Sequence, residues 1–388
     1  MTAGMLEGVT VLDLASVGPA ARASRWLADY GAVVVTVGPV PARGGVQITP
    51  PFHAYSAHRE MRRALVDLKA PEGRDVFLRL ADGADVVLES YRPGVADRLG
   101  IGYDDVRARN PGIVYCSTTG YGQRGPRAAW AGHDLNYLAT GGFLDCTGRG
   151  ADGRPPIPGA TVADSAGGGM HAVIAILAAL IHRNATGDGA YLDVSVAEGV
   201  LALMALQIDE HLATGARPGP GHGMLTGRYA CYDTYVAADG KWLAVAAIET
   251  RFWSNLCHAL GLERWVSHQT DDAVQDEIRA DLRAAFATRD RDAWVDELGP
   301  ADTCVAPVLS VAELVDDPQF VARGAFVDAV HPRHGSFRQV APTLAGMARP
   351  RRPYAVRDTD LTDTDELLRA AGVSPEESVQ LRRAGVVA

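Results

Sequence analysis

Two side chains stand out for what their types and settings allow. Asp164 comes immediately before Ser165-Ala-Gly-Gly-Gly-Met, where the chain enters a long apolar run, GGGMHAVIAILAALIHR (167–183). That run reads as a buried helix, being apolar nearly all round. Asp164 then reads as its N-cap, a position that prefers Asp. The same place suits chemistry. A helix start carries N–H groups without intrahelical partners and a positive potential, and both stabilise an oxyanion as it forms. Gly167, Gly168 and Gly169 would let a ligand approach the backbone closely. A carboxylate at such a point can act as base or as nucleophile. His133 sits in a loop before DLNYLATGG, with Asp134 as the expected N-cap of a short helix. Spacing alone does not separate His133 from the other histidines of the eleven. His171, inside the apolar run, reads as a satisfied core residue.

Other candidates are weaker one by one. Lys69 follows a strand-like segment, Arg92 precedes Pro93-Gly94, and Arg124 and Arg127 flank a glycine loop. Cations at strand ends suit phosphates in an open α/β sheet, and they equally suit plain solvation. Glu249 precedes a helix near Arg251, either as a first-turn acid or as a partner for an imidazole. Gly120-Tyr-Gly122-Gln-Arg-Gly125 spells G-x-G-x-x-G, but Pro126 and Ala-Ala-Trp-Ala-Gly-His follow instead of a helix. Without a helix N-terminus facing the phosphates it reads as an ordinary glycine-rich loop.

The elements that must position these residues begin with VTVLDLA (9–15), a helical stretch, and GAVVVTV (31–37). This is a β-α-β unit of the buried parallel kind. ALVDL (64–68), a helix from about Pro71 to Ala84, DVVLESY (85–91) and IVYCSTT (113–119) continue it. The first third therefore predicts a doubly wound α/β sheet. AYLDVSV (190–196) reads as a strand and AEGVLALMALQIDEHLA (197–213) as one long helix. TGARPGPGHG (214–223) breaks the chain. YACYDTYVAADGKWLAVAAI (229–248) is a hairpin around Asp239-Gly240, followed by amphipathic helices and a strand-like VAPVLS (305–310). The tail, 363–387, reads as helix, turn, helix. The expected organisation is a large domain over 1–213, completed by about 340–388, and a small domain over 225–325. Linkers are expected at 214–224 and 326–339.

Composition narrows the class. The chain has 388 residues, 47% of them hydrophobic and 22% charged. That length makes two domains the default, and the balance is ordinary for a globular chain. The net charge of −10 argues against nucleic acid as a partner, while leaving room for a small anion held by a few local cations. Cys116, Cys146, Cys231, Cys257 and Cys304 are odd in number and widely spaced, which reads as reduced thiols and no metal site. The N-terminus carries Glu7 and Asp13 through its apolar part, unlike a signal peptide. The uncharged apolar run 172–181 is too short to span a bilayer. The expectation is a cytoplasmic chain with no membrane partner.

Taken together, LEGVTVLDLASVGP, ALVDLK, ESYRPGV, GHDLNYLATGG and VADSAGGGMHAVIAILAALIHRNATGDGAYLDVSV resemble the class III CoA-transferase (CaiB/BaiF) superfamily. Gly132-His133-Asp134-Leu-Asn-Tyr137 and YDTYVAADGKWLAVAAIETRF, with Glu249, are similar to its α-methylacyl-CoA racemase branch, as is CVAPVLSVAELVDDPQFVARGAF. The resemblance covers nearly the whole chain. It implies an interlocked homodimer, each subunit with a Rossmann-like large domain and a smaller α+β domain, and an active site shared between subunits. It implies that His133 and Asp164 are the acid/base pair and that Glu249 supports His133 from the partner. It places Lys69 and Arg92 near the CoA phosphates, with Tyr137, Gly167 and Gly168 also on the CoA side. The substrate it implies is an acyl-CoA thioester, with no separate cofactor. The sequence departs from the pattern in three places. The acidic–basic pair after the second strand is Val37-Gly38-Pro39-Val40, leaving Arg43 as its substitute; an asparagine common four residues before the aspartate is Ala160; and Leu225-Thr-Gly-Arg-Tyr replaces a glycine-rich loop. The last two changes bear on the acyl pocket.

Three functions follow from this. One is 1,1-proton transfer at the α-carbon through an enolate, which needs a group on each face of the carbon. The second is CoA transfer with Asp164 as nucleophile, which needs no histidine at 133. The third is a non-catalytic acyl-CoA binder on the same fold.

Overall fold

The computed structural model describes residues 4–15, 17–41, 51–54, 61–342, 346, 353–358 and 360–388. Arg43 lies outside them. The chain divides into two compact units. One comprises Met1–Gly141, Pro158–Ala205 and Pro318–Ala388; the other comprises Gly142–Ile157 and Leu206–Asp317.

The first unit is built on six parallel strands: β1 (Thr10–Asp13), β2 (Val33–Gly38), β3 (Arg62–Leu65), β4 (Val86–Glu89), β5 (Val114–Thr119) and β6 (Ala190–Ser195). Their order is β3-β2-β1-β4-β5-β6, so the sheet grows outward both ways from β1 and β4. Strands such as VVLE and VYCSTT are buried along their whole length. That is why they do not alternate apolar with polar residues. One face packs Phe77, Leu80, Ile101 and Leu368; the other packs Leu27, Ile176 and Leu180. The chain's end closes the β3 edge. Asp67 N–H donates to Val386 O, and Ala388 N–H donates to Leu65 O. Leu65 N–H donates to Thr364 Oγ1 at 3.1 Å. The helices Thr364–Ala370 and Pro375–Arg383 thus lie against an edge that would otherwise be open.

Where the sheet changes direction, β1 ends on Asp13 and β4 ends on Glu89, both almost wholly buried. Asp13 accepts from Ser24 Oγ at 2.5 Å and from Ala15 N–H at 2.8 Å. Burial nevertheless pushes its pKa up to about 7, outweighing these two bonds. Glu89 is likewise raised to about 7, chiefly by burial. A carboxyl whose pKa is raised by folding stabilises the fold fully below its unfolded pKa, and this contribution is lost as pH rises through about 7. We expect the melting temperature to fall between pH 5 and pH 8 and Asp13→Asn to lessen that fall, with a gain of roughly 3 °C at pH 8 in thermal melts. Equal pH slopes for the two proteins would refute it.

Several elements depart from the sequence expectation. The long apolar helix begins as a π-helical segment, Ala163–Met170, and continues as an α-helix, His171–Thr186. Together, Ala163–Thr186 is long and apolar enough, by length and composition alone, to cross a membrane. It is not buried all round. Ala172, Val173, Ile176 and Leu180 face the sheet, whereas Met170, Ile174 and Ile181 are exposed. His171 Nδ1 is buried without a hydrogen-bond partner among the described residues, so His171 is not the satisfied core residue expected. The helix expected over 197–213 breaks at Met204 into Val196–Leu203 and Ala205–Thr214. The segment 326–339, expected as a linker, is an antiparallel hairpin of β10 (Phe326–His331) and β11 (Gly335–Val340). Its alternating FVDAVH and GSFRQV flank a tight turn. Gly335 ends that turn at a φ of 72°, in the left-handed region.

The second unit holds a three-stranded sheet, β7 (Tyr232–Val236), β8 (Trp242–Ala246) and β9 (Val305–Pro307), all antiparallel. Its core gathers Trp253, Leu256, Ile278, Phe286 and Trp294 from the surrounding helices.

Candidate active site

Asp164 is not the helix cap that its sequence position suggests. The preceding Val162 already has helical angles, φ −69° and ψ −44°, so the helical run starts earlier and Asp164 is its second residue. The Asp164 N–H is itself capped, donating to Asp134 Oδ1 at 2.8 Å. Asp134 is in turn not the cap of its own helix. His133 holds that position, extended at φ −133°, and Asp134 opens the helix Asp134–Thr140. The Asp134 carboxylate is thereby released to reach a segment distant in sequence. One hydrogen bond thus ties the His133–Asp134 loop to the stretch that carries Asp164.

The His133 loop is fixed from two more sides. Asn136 Oδ1 accepts from His133 N–H at 3.0 Å. The buried Tyr137 donates its hydroxyl to Gly132 O at 2.6 Å. Its ring fills the space beside Gly120 and Gly132; a Cβ on Gly132 would lie 2.7 Å from that ring. So Gly120, the first glycine of the G-x-G-x-x-G match, serves close packing against Tyr137. No helix follows that loop before Asp134. Burial pushes the Tyr137 phenol up to about 12, so it stays a neutral donor.

The three glycines serve a different end from the one their sequence suggests. A Cβ on Gly167 would meet Val196 O at 2.9 Å, one on Gly168 would meet Pro19 Cβ at 2.5 Å, and one on Gly169 would meet Trp26 at 2.9 Å. Their bare Cα faces are taken by the helices Gly18–Asp29 and Val196–Leu203, which clamp the π-helical segment from both sides. The N–H groups expected to be free at this helix start are partly engaged as well: that of Asp164 with Asp134 and that of Ser165 with Thr161 O at 3.0 Å. π-Helical turns often mark functional positions, because they displace one residue from the regular ladder.

Asp164 is half-buried and feels the charges of three neighbours. Burial raises its pKa above the usual carboxylate range; Arg22 and His133 pull it down, and Asp134 pushes it up. The Arg22 guanidinium lies 3.5 Å from Asp164 Oδ2. Asp164 and His133 therefore act electrostatically on each other, from two separately positioned elements. A half-buried carboxyl with a raised pKa, within the field of an imidazole, is suited to proton transfer.

The remaining sequence candidates lie elsewhere. Lys69 is exposed and lines a cavity of about 650 Å³ with Pro71, Arg79, Glu377 and Gln380. Arg92 is exposed and lines a different cavity, about 370 Å³, with Glu89, Ser117, Tyr103, Arg124 and Tyr191. Glu249, in the second unit, occupies the N-cap position of the helix Thr250–Ala259 but makes no side-chain capping bond, and it is exposed. Its charge acts on the Cys304 thiol.

Sequence reasoning misses Arg22. A faint signal exists for Arg22: it is a cation one turn into GPAARASRWLAD, an otherwise mostly apolar helix.

Comparison with known proteins adds the family. The family description CoA-transferase family III matches residues 6–357. The alpha-methylacyl-CoA racemase of Homo sapiens is 33% identical over 97% of this chain and 96% of its own. The succinate–glutarate CoA-transferase of Agrobacterium fabrum is 31% identical over 83% of this chain and 84% of its own. A crystal structure of a CAIB/BAIF family protein from Brucella suis superposes with a TM-score of 0.75 at 29% identity, covering 94% of this chain and 98% of that one. A match this long, carried by sequence and fold together, decides the matter: the chain belongs to CoA-transferase family III.

Proposed function

We propose that this protein moves the α-proton of an acyl-CoA thioester, racemising or epimerising that carbon through an enolate. His133 and Asp164 are the two acid/base groups, one for each face of the planar intermediate. The observation that supports this reading is the Asp134 carboxylate bound to the Asp164 N–H, which joins the loop carrying His133 to the segment carrying Asp164. The two groups start in opposite protonation states for each direction, and each turnover exchanges them. The raised pKa of Asp164 brings it closer to an imidazole, which eases that exchange. The likeness to the human racemase supports the same reading.

The remaining roles belong to this proposal. Lys69, Arg92 and Arg43 hold CoA phosphates, and Tyr137, Gly167 and Gly168 shape the CoA side of the site. Glu249 of a second subunit supports His133, in an interlocked homodimer of large Rossmann-like and small domains. Met170, Ile174 and Ile181 on one helix and Leu201 and Leu203 on another are exposed, and exposed apolar side chains such as these suit a second copy as partner. The chemistry needs no cofactor beyond the CoA of the substrate, and the cytoplasm suits it.

The likeness to the Agrobacterium enzyme favours a second reading, CoA transfer. There, Asp164 attacks the thioester carbonyl, releases CoA thiolate and forms an acyl-aspartyl anhydride. Incubation of the protein in heavy water with a short 2-methylacyl-CoA alone separates the two. We expect deuterium at the α-carbon, followed by mass spectrometry, without any second carboxylate. Absence of exchange with CoA passing to an added carboxylate would overturn the first reading in favour of the second.

A further inference from the structure

We infer that Arg22 is a positioning residue for Asp164: its guanidinium, anchored by a hydrogen bond to the Thr161 hydroxyl, stands in ion-pair range of the Asp164 carboxylate and favours its proton-accepting form. The inference rests on the acid/base role proposed for Asp164.

Arg22 Nη2 donates to Thr161 Oγ1 at 2.8 Å, and Nη1 lies 3.5 Å from Asp164 Oδ2. The two contacts bracket the turn through which the chain enters the π-helical segment. The ion-pair side chains are largely withdrawn from water, at 17% and 15% exposure. Their attraction is therefore screened less than at a surface. The arginine's own backbone is held in place: Pro19 and Trp26 of the same helix pack against Gly168 and Gly169. A rigid helix thus delivers a planar cation to the one carboxylate that the chemistry uses.

Other groups around Asp164 balance one another. His133 lowers its pKa, Asp134 raises it, and Tyr137 from the same short helix is neutral. The other helices packed on the segment, His171–Thr186 and Val196–Leu203, carry His171 and Glu198 as their nearest titratable side chains in sequence. Among the charges acting on Asp164, Arg22 exerts the largest lowering effect. An opposite charge at this range moves a carboxyl by about one to three pH units. Desolvation acts the other way, so without Arg22 the Asp164 carboxyl would be raised further and its proton-accepting form would be rarer at any given pH.

The test uses the full-length protein as wild type, Arg22→Met and Arg22→Lys. Carbon-13 resonances of labelled aspartate carboxyls are followed against pH, with Asp164→Asn to assign the signal; α-proton exchange is followed over the same range. In Arg22→Met the Asp164 midpoint should rise by about one unit or more. Exchange of the epimer that Asp164 deprotonates should fall at low pH, by up to about tenfold for a one-unit rise, and recover as pH rises. Arg22→Lys keeps the charge and should retain most of the wild-type profile; it also serves if the methionine variant does not fold. An unmoved midpoint, or a loss of exchange equal at every pH, would overturn the proposal while leaving the proton-transfer reading intact. A shifted midpoint in a wild-type background that exchanges no proton would sink that reading and keep the Arg22–Asp164 coupling.

Discussion

Asp164→Asn should abolish turnover by about 10³-fold or more, whereas His133→Ala should abolish α-proton exchange and leave any CoA transfer standing. The asparagine removes base and nucleophile together, so it stops either reaction. It leaves the backbone tie intact, because the bond to Asp134 uses the Asp164 N–H and not its side chain. His133 is exposed, and its backbone is held by Asn136, so its truncation leaves the loop in place. The pair of variants therefore divides the two reactions. Measured exchange in His133→Ala near the wild-type rate would remove the histidine from the mechanism.

Gly199→Ala should cost stability on a scale seldom seen for adding one methyl. A Cβ at position 199 would be driven into the carbonyl oxygen and Cα of Gly167, and both are backbone, with no flexible side chain to yield. Overpacking of this kind costs about 1–3 kcal/mol, sometimes more. The helix Val196–Leu203 must then move off the π-helical segment, and Asp164 moves with the segment. We expect a melting temperature lowered by roughly 4–10 °C, given about 2–4 °C per kcal/mol in a domain of this size, with turnover reduced as well. Gly219→Ala is the control, since nothing lies within 4 Å of its would-be Cβ. Equal melting temperatures for the two variants would refute the account.

Much of the frame is legible in the residues. The strand-like runs at 9–15, 31–37, 85–91 and 113–119 appear as the strands β1, β2, β4 and β5, because buried parallel strands favour apolar side chains on both faces. The failure of G-x-G-x-x-G to open a helix is also legible, from Pro126 and the residues after it. The hairpin of β10 and β11 escapes a sequence reading, although its alternation is present, because the turn there lacks the usual Asn-Gly or Asp-Gly pair. The break at Met204 leaves no such mark, since VLALMALQ continues a good helical pattern across it.

The site divides in a similar way. Asp164 and His133 can be named from the sequence, one by its place at the head of an apolar run and the other by resemblance. What the two do together is a matter of tertiary structure. The Asp134 carboxylate spans 30 residues to Asp164 and the Arg22 guanidinium spans 139 residues to Thr161. No local propensity encodes contacts of that reach. They exist because the glycines at 167–169 and 199 let two helices close tightly around one π-helical turn. The sequence by itself determined which residue types stand at the head of that helix. Only packing decided that Asp164 is a carboxylate with a partner cation rather than a cap, because a cap spends its oxygens on its own helix and this one's neighbours supply that bond instead.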